Sequence, residues 1–477
     1  MAHLRTGDTI AAIATAQGAG AVGIVRVSGP DARALAHALF RSSRSGFTGL
    51  KPYRLHHGTL VDAAGRVLDE VLLAFMPGPG SFTGEDVVEF NCHGGQAVLR
   101  AVLEELLARG ARLAAPGEFS FRAFRHGKLD LAQAEAIAET IAAPTRAALH
   151  LAQLKLSGAL SERIGSLRQR LEALRAQLCL AVDFPEEDVE CLPPALLRGE
   201  ALDVATAIAE LLAGVERARA WREGVLAVLA GRVNAGKSSL MNALVGRNRA
   251  LVSATPGTTR DYLEEQLDLS GLLVRLVDTA GLREGRPEVL EAEGIGELDL
   301  DPVEAAGQDL ARDFMARAEA VLYVLDAAKP LHALDREALA GLDPRRAMLV
   351  LNKCDLPGAG TARHEALAIA SARGLACLRV SAKSGLGLEE LCARLRTRLA
   401  GAEPDPDALA PNARQAQALA LAHGELLALA EETQRGLPYD ILGLRLDAAC
   451  RALAELVGDI APDEVLNAIF SRFCIGK

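Results

Sequence analysis

The stretch "GVLAVLAGRVNAGKSSLMNAL" (224–244) restricts the possible folds more than any other part of the chain. An apolar run fit for a buried strand gives way to G-x-x-x-x-G-K-S, Gly231 to Ser238, and then to a helix-forming run. That order implies a strand–loop–helix unit of an α/β layer. The glycines let backbone N–H groups turn inward around phosphate oxygens, and the helix N-terminus adds its dipole. Lys237 brings a point charge to the β- and γ-phosphates, and Ser238 supplies an oxygen to Mg2+.

Four more segments carry the same chemistry. "ATPGTTRDYL" (254–263) puts Thr259 where a switch loop would complete the Mg2+ shell. "VRLVDTAGLR" (274–283) ends an apolar strand at Asp278, suited to hold Mg2+ through water, with the Gly281 amide near the γ-phosphate. "MLVLNKCDL" (348–356) ends another strand in N-K-x-D. Asp355 there can accept from the guanine N1–H and 2-amino group, a donor pair that adenine lacks. "LRVSAKSG" (378–385) offers a backbone N–H near Ala382 to the guanine O6. Five motifs in this order specify a GTPase. The candidate GTP-contacting residues are Asn234, Ala235, Gly236, Lys237, Ser238 and Ser239; Ser253, Ala254, Thr255, Pro256, Gly257, Thr258 and Thr259; Asp278, Thr279, Ala280 and Gly281; Asn352, Lys353 and Asp355; and Ser381, Ala382 and Lys383.

Leu282 follows "DTAG", where many GTPases carry a glutamine that orients the attacking water. Leucine cannot hydrogen-bond, so orientation and charge neutralisation must come from elsewhere. The Asn234 carbonyl is placed to hold a monovalent cation beside the phosphates; the plainer reading is that Asn234 only stabilises its loop.

At 477 residues the chain should hold two to four domains. It is half hydrophobic but only 4% aromatic, which favours long helices over an all-β architecture. A formal charge of −10 means that any nucleic-acid contact needs a local basic patch or a partner. The eight cysteines form no CxxC pair, as expected for reduced thiols in a cytosol and not for a zinc site. The opening "MAHLRTGDTIAAIATAQGAGAVGIVRVSGP" reads as strand, glycine loop and strand, not as a signal peptide, and no apolar run is long enough to span a membrane. Cys474, fourth from the end, is not a prenylation signal, because Gly476 and Lys477 do not fit one.

Three textures set the expected organisation. Residues 1–125 alternate short β-branched runs with turns and form an α+β domain; 126–222 carry apolar residues at helical spacing; 223–401 alternate strands and helices; 402–477 are helical again. The two helical pieces flank the P-loop domain and are expected to pack as one bundle into which that α/β domain is inserted. Arginines of "SERIGSLRQRLEALRAQ" (161–177) fit either a solvated helix face or nucleic-acid phosphates. His56, His57 and His93 read as strand-end or turn residues and not metal ligands.

Several segments together resemble one family: MnmE, also called TrmE, the tRNA-modification GTPases. They are "SFTGEDVVEFNCHGG" (81–95), "APGEFSFRAFRHGKLDLAQAEAIAETIAA" (115–143), "AVDFPEE" (181–187), the P-loop, "GTTRD", "DTAGLR" and the terminal "FCIGK". The resemblance implies a cytoplasmic homodimer with an N-terminal domain that binds a tetrahydrofolate derivative, 5-formyl or 5,10-methylene, and dimerises. It implies a flavoprotein partner, MnmG, in a heterotetramer that adds an aminomethyl or carboxymethylaminomethyl group to carbon 5 of the wobble uridine of certain tRNAs. GTP hydrolysis would depend on K+, with Asn234, Ser253, Thr255 and Thr258 around K+ and Ser238 and Thr259 on Mg2+. Arg26, Glu89, Lys128 and Lys477 would form the folate site, and Cys474 would lie near the one-carbon unit, either as a nucleophile or as a packed anchor. The water-positioning glutamate best matches Glu291, with Glu293 nearly as good, inside an acidic stretch (284–314) longer than the family usually has. The competing expectation is a ribosome-assembly or RNA-binding GTPase, which shares the five motifs but not the head or the tail.

Overall fold

The computed structural model describes residues 4–183, 193–248, 264–278, 313–357, 361–400 and 408–476. It divides into two compact units, Met1–Ile141 with Gln153–Leu212 and Pro411–Lys477, and Ala142–Ala152 with Ala213–Ala410.

The first unit opens with β1 (Ile10–Ile13), β2 (Val22–Ser28), α1 (Ala32–Leu39), β3 (Phe40–Ser42), β4 (Leu55–Val61), β5 (Val67–Met76), β6 (Val87–His93), α2 (Gln96–Ala108), β7 (Arg112–Leu113) and α3 (Glu118–Arg125). The strands form one seven-stranded sheet in the order β3-β4-β5-β6-β2-β1-β7. Period-two alternation decides its faces. Val25, Val27, Leu73, Phe75, Val88 and Phe90 point toward Leu35, Leu39, Leu99, Val102 and Leu106 of α1 and α2 and make the core. The alternate positions leave Ile24, Arg26, Leu72, Ala74, Glu89 and Asn91 on the other face, and the antiparallel register sets Arg26 directly opposite Glu89.

Helices follow: α4 (Leu131–Ala142), α5 (Arg146–Leu156), α6 (Ala159–Asp183) and α7 (Pro194–Glu223). In α6 the buried side chains are Leu160, Ile164, Leu167, Leu171, Leu174 and Leu178. Their alternating four- and three-residue steps give one apolar stripe, and burial of each side chain contributes about 2 kcal/mol. The stripe meets a late helix of the same unit, described below with its neighbours.

The second unit contains β8 (Val225–Ala230), α8 (Lys237–Asn248), β9 (Glu264–Leu269), β10 (Leu272–Asp278), β11 (Ala320–Asp326), α9 (Ala333–Gly341), β12 (Ala347–Asn352), α10 (Thr361–Arg373), β13 (Ala376–Arg379) and α11 (Leu388–Ala400). Its six-stranded sheet runs β13-β12-β11-β8-β10-β9, parallel except for β9, which pairs antiparallel with β10. β8, β11 and β12 are apolar along their length and buried on both faces, as parallel strands covered by helices must be.

The first unit closes with α12 (Ala413–Gln434), α13 (Tyr439–Val457) and α14 (Asp463–Phe470); α13 packs on α12 and on the α6 stripe. The fold is therefore multidomain: an α+β head, a helical bundle built from both flanking pieces, and an α/β P-loop domain carried between them. A polar knot ties α4 and α5 to α12. Glu135 accepts from Arg414 at 2.7 and 2.9 Å and from Gln415 at 2.7 Å, while Glu139 accepts from Asn412 at 3.2 Å and pairs with buried Lys155. In α6, Arg168 pairs with Glu172 and Asp459, Arg170 with Glu200, and Arg175 with Asp447. These arginines are spent on helix–helix contacts.

Candidate functional site

In the second unit the functional side chains gather at the carboxyl ends of parallel strands, where ligands bind in open α/β sheets. The loop after β8 turns into α8 through Gly236, whose φ is +90° and where a Cβ would lie 2.4 Å from Asn352 Nδ2. No other residue fits there without moving the asparagine. Lys237 is buried, and its Nζ donates to the Gly231 and Arg232 carbonyls at 2.8 and 2.9 Å. Ser238, in the first turn of α8, donates through Oγ to Asp278 Oδ2 at 2.6 Å, and Asp278 is fully buried at the end of β10. Two hard oxygen donors are thus side by side. They fit Mg2+, whose remaining octahedral positions would fall to phosphate and water.

Asn352, at the end of β12, joins two loops. Its Nδ2 donates to the Ala235 and Gly236 carbonyls at 3.1 and 3.4 Å, and its Oδ1 accepts from the Ala382 N–H at 3.1 Å. The amide expected to meet guanine O6 is therefore engaged with Asn352 here. Asp355 is exposed, and the Ser381 hydroxyl, with help from Lys383, holds its carboxyl below the usual range. It is an ionised acceptor suited to a pair of N–H donors. Lys353 Nζ donates to the Asn234 main-chain carbonyl at 2.7 Å, which leaves the Asn234 side-chain carbonyl for other partners. Ser253, Ala254, Thr255, Pro256, Gly257, Thr258, Thr259, Thr279, Ala280, Gly281 and Glu291 lie outside the described residues.

A second constellation lies on the open face of the head sheet. Arg26 Nε donates to Glu89 Oε1 at 2.8 Å, and its NH1 donates to the Gly476 carbonyl at 3.0 Å. The guanidinium also stacks over the Phe119 ring, 5.7 Å from its centroid. The tail is anchored, not frayed. Phe470 is fully buried and meets Phe121 edge-on at 5.5 Å and Phe473 at 5.3 Å. Gly476, at φ +91°, presses against β1, where a Cβ would lie 2.6 Å from the Ile13 carbonyl. Cys474 is exposed within this tail; Lys477 lies outside the described residues. Lys128 is placed differently. Its Nζ donates to the Pro79 carbonyl at 3.0 Å, and it lines a cavity of about 580 Å³ with Arg125, Asp130, Gln133 and Asp459. Among the described residues no hydrogen bond or ion pair joins it to the Arg26–Glu89 pair.

Sequence reasoning missed the ion cluster beneath this face. Arg122 is fully buried; its NH1 donates to Glu85 at 2.9 Å and to the Asp8 carbonyl at 2.6 Å, and its NH2 to Asp8 Oδ1 at 2.5 Å. Arg112 bonds both Asp8, at 2.7 Å, and Glu118, at 2.5 Å. Ser28 donates to Glu85 at 2.7 Å. The Arg112 hydrogen bond holds Asp8 below the usual carboxylate range. Burial works to raise Glu118, but Arg112, the Ala115 amide and the charge of Arg122 together bring it lower. The cluster fixes α3, and α3 sets Phe119 under Arg26. The one signal was an arginine inside the aromatic run "EFSFRAFR" (118–125).

The remaining polar candidates have local partners. His57 meets Ser43 and Glu70, His93 meets Asp69, and His56 meets the Lys51 backbone. Among the described residues no group of three His, Cys, Asp or Glu side chains could hold a metal ion, and no helix is long and apolar enough to cross a membrane.

Comparison with known proteins assigns both halves of the chain. A family model described as the MnmE helical domain matches residues 131–474, and one described as the GTP-binding protein TrmE N-terminus matches residues 9–128. A tRNA modification GTPase MnmE of Nitratidesulfovibrio vulgaris strain DP4 is 50% identical, the match taking in 98% of this chain and 99% of the relative. Its counterpart in Lawsonia intracellularis is 42% identical over 98% of this chain and 100% of its own length. Among solved structures, the G domain of the T. maritima FeoB iron transporter is 26% identical, covers 36% of this chain and 98% of its own, and has a TM-score of 0.25.

Proposed function

The chain belongs to the MnmE family of tRNA modification GTPases, and from that premise we propose that it is a K+-activated GTP hydrolase acting with a flavoprotein partner, MnmG. The pair adds an aminomethyl or carboxymethylaminomethyl group at carbon 5 of the wobble uridine of certain tRNAs, drawing the carbon from a tetrahydrofolate derivative. The observation that carries this reading is the Arg26 clamp, which binds Glu89 and the tail carbonyl of Gly476 in one place. A GTPase that acts only as an RNA-binding timer has no use for such a clamp, and for that reason the ribosome-assembly alternative is set aside.

In the nucleotide site, Lys237 neutralises β- and γ-phosphate charge and the α8 N-terminus faces the same oxygens. Ser238 and Thr259 hold Mg2+, with Asp278 fixed against Ser238. Asp355 reads the guanine edge, and Asn352 keeps the phosphate and base loops in register. Asn234, Ser253, Thr255 and Thr258 would hold K+, which would supply positive charge where Leu282 cannot orient water. Glu291, or Glu293, positions that water. Ser239, Ala235, Thr279, Ala280, Gly281, Ser381, Ala382 and Lys383 complete the contacts. At the head, Arg26, Glu89, Lys128 and Lys477 would hold the folate derivative, with Glu89 accepting from the pterin N–H edge and the terminal lysine meeting its acidic tail. Cys474, exposed in the tail, would lie near the carbon to be transferred.

The reading includes a cytoplasmic homodimer and the division 1–125, 126–222, 223–401 and 402–477. Support for pairing comes from the sheet face that carries the Arg26–Glu89 pair, where Val22 is 60% and Leu72 is 42% exposed. The test is GTP turnover in KCl against NaCl, together with equilibrium binding of 5-formyl-tetrahydrofolate. Turnover indifferent to the cation, in a protein that also retains no folate, would end the proposal.

A further inference from the structure

Among the described residues, four non-glycine side chains sit on left-handed backbone: Tyr53, Asn234, Ser270 and Lys353. Two of them touch. Asn234, at φ +65°, receives a hydrogen bond on its main-chain carbonyl from the ammonium of Lys353, itself at φ +63°. Asparagine tolerates this region; for lysine it costs about 1–2 kcal/mol, and such backbone persists only where the surroundings over-determine it. One carboxylate does so here. Asp326 Oδ2 lies 2.8 Å from Lys353 Nζ, and its Oδ1 accepts from the Ala328 N–H at 3.0 Å. Asp326 ends β11, between β8 and β12 in the sheet, so it stands between the strands that carry the two strained residues. Its side chain is 9% exposed, where screening by water is weak.

We propose that Asp326 is a positioning residue for nucleotide binding. It aims the Lys353 ammonium at the Asn234 carbonyl and so locks the phosphate loop to the base-reading loop. Asparagine and lysine keep their left-handed turns because the carboxylate fixes the bond between them. Asp326 would contact neither phosphate nor base, and its influence passes wholly through Lys353. This inference rests on the nucleotide reading of the loop after β8 and adds to it a residue outside the five motifs.

A fluorescent GDP analogue titrated into the full-length chain with Mg2+ tests it. Asp326→Asn should weaken binding about tenfold, a change equivalent to ~1.4 kcal/mol. Lys353→Met should weaken it at least as much, and Asp326→Asn added to Lys353→Met should change nothing further, because the route through the lysine is already cut. Asp326→Glu should restore part of the affinity. The double variant removes both charges of the pair, so the comparison survives even if Asp326→Asn alone unfolds. Wild-type affinity in Asp326→Asn, or an undiminished second loss in the Lys353→Met background, would overturn the proposal. An unaltered chain that bound no GDP would overturn the nucleotide reading itself, and this inference with it.

Discussion

Gly236 shows how little freedom a single position has in the nucleotide site. An added methyl group would meet Asn352 Nδ2 at 2.4 Å on a backbone at φ +90°. Gly236→Ala should therefore cost at least tenfold in GDP affinity, since roughly 1–3 kcal/mol of strain accompanies such a residue, and the same strain should lower the melting temperature of the second unit by several degrees. Cysteines differ at the same scale. Burial pushes the Cys92 thiol up to about 12 and Cys450 to about 11, which leaves both inert at neutral pH. Cys474 is exposed, so Cys474→Ser is expected to lower modified uridine in tRNA with GTP turnover and folate binding kept; unchanged uridine would remove the chemical role. Lys237, Ser238, Asp278, Asn352 and Asp355 were legible from the sequence, because each chemistry depends on a local spacing. The meeting of Arg26 with Glu89 and Gly476 was not legible without the family, since it depends on strand register and on a contact across 450 positions.

At the scale of elements, α3 is held by charges and not by apolar contacts alone. Asp8 and Glu118 both have folded-state pKa values below their ordinary ones. The stability they contribute is present above the ordinary carboxylate range and is lost as pH falls through the depressed values. The head should accordingly loosen in acid, seen as a falling unfolding midpoint below the usual glutamate pKa, and Glu118→Gln should start lower and flatten that dependence. Lys155 belongs to the same physics in the bundle: Glu139→Ala removes a charge partner of a buried ammonium and should lower stability more than replacing both partners with apolar residues. The α6 stripe was plain in the sequence, as were β8, β10 and β12 of the P-loop sheet. The helix α3 and the polar knots were not, because a buried charge pattern looks like a surface pattern until its partners are brought in from elsewhere.

For the whole molecule, the division into two compact units predicts two separable unfolding steps. GDP with Mg2+ should raise only the transition of the second unit; a single transition displaced by it would contradict this. The face of the head sheet that carries Arg26 is covered only in part, by Phe119 and the tail. Val22 and Leu72 are exposed on the same face as the Arg26–Glu89 pair, so a second copy settling there would strip water from those charges and strengthen their hold on an ionic ligand. Retention of folate would then become a cooperative property of the protein's concentration. Dilution by itself should release it.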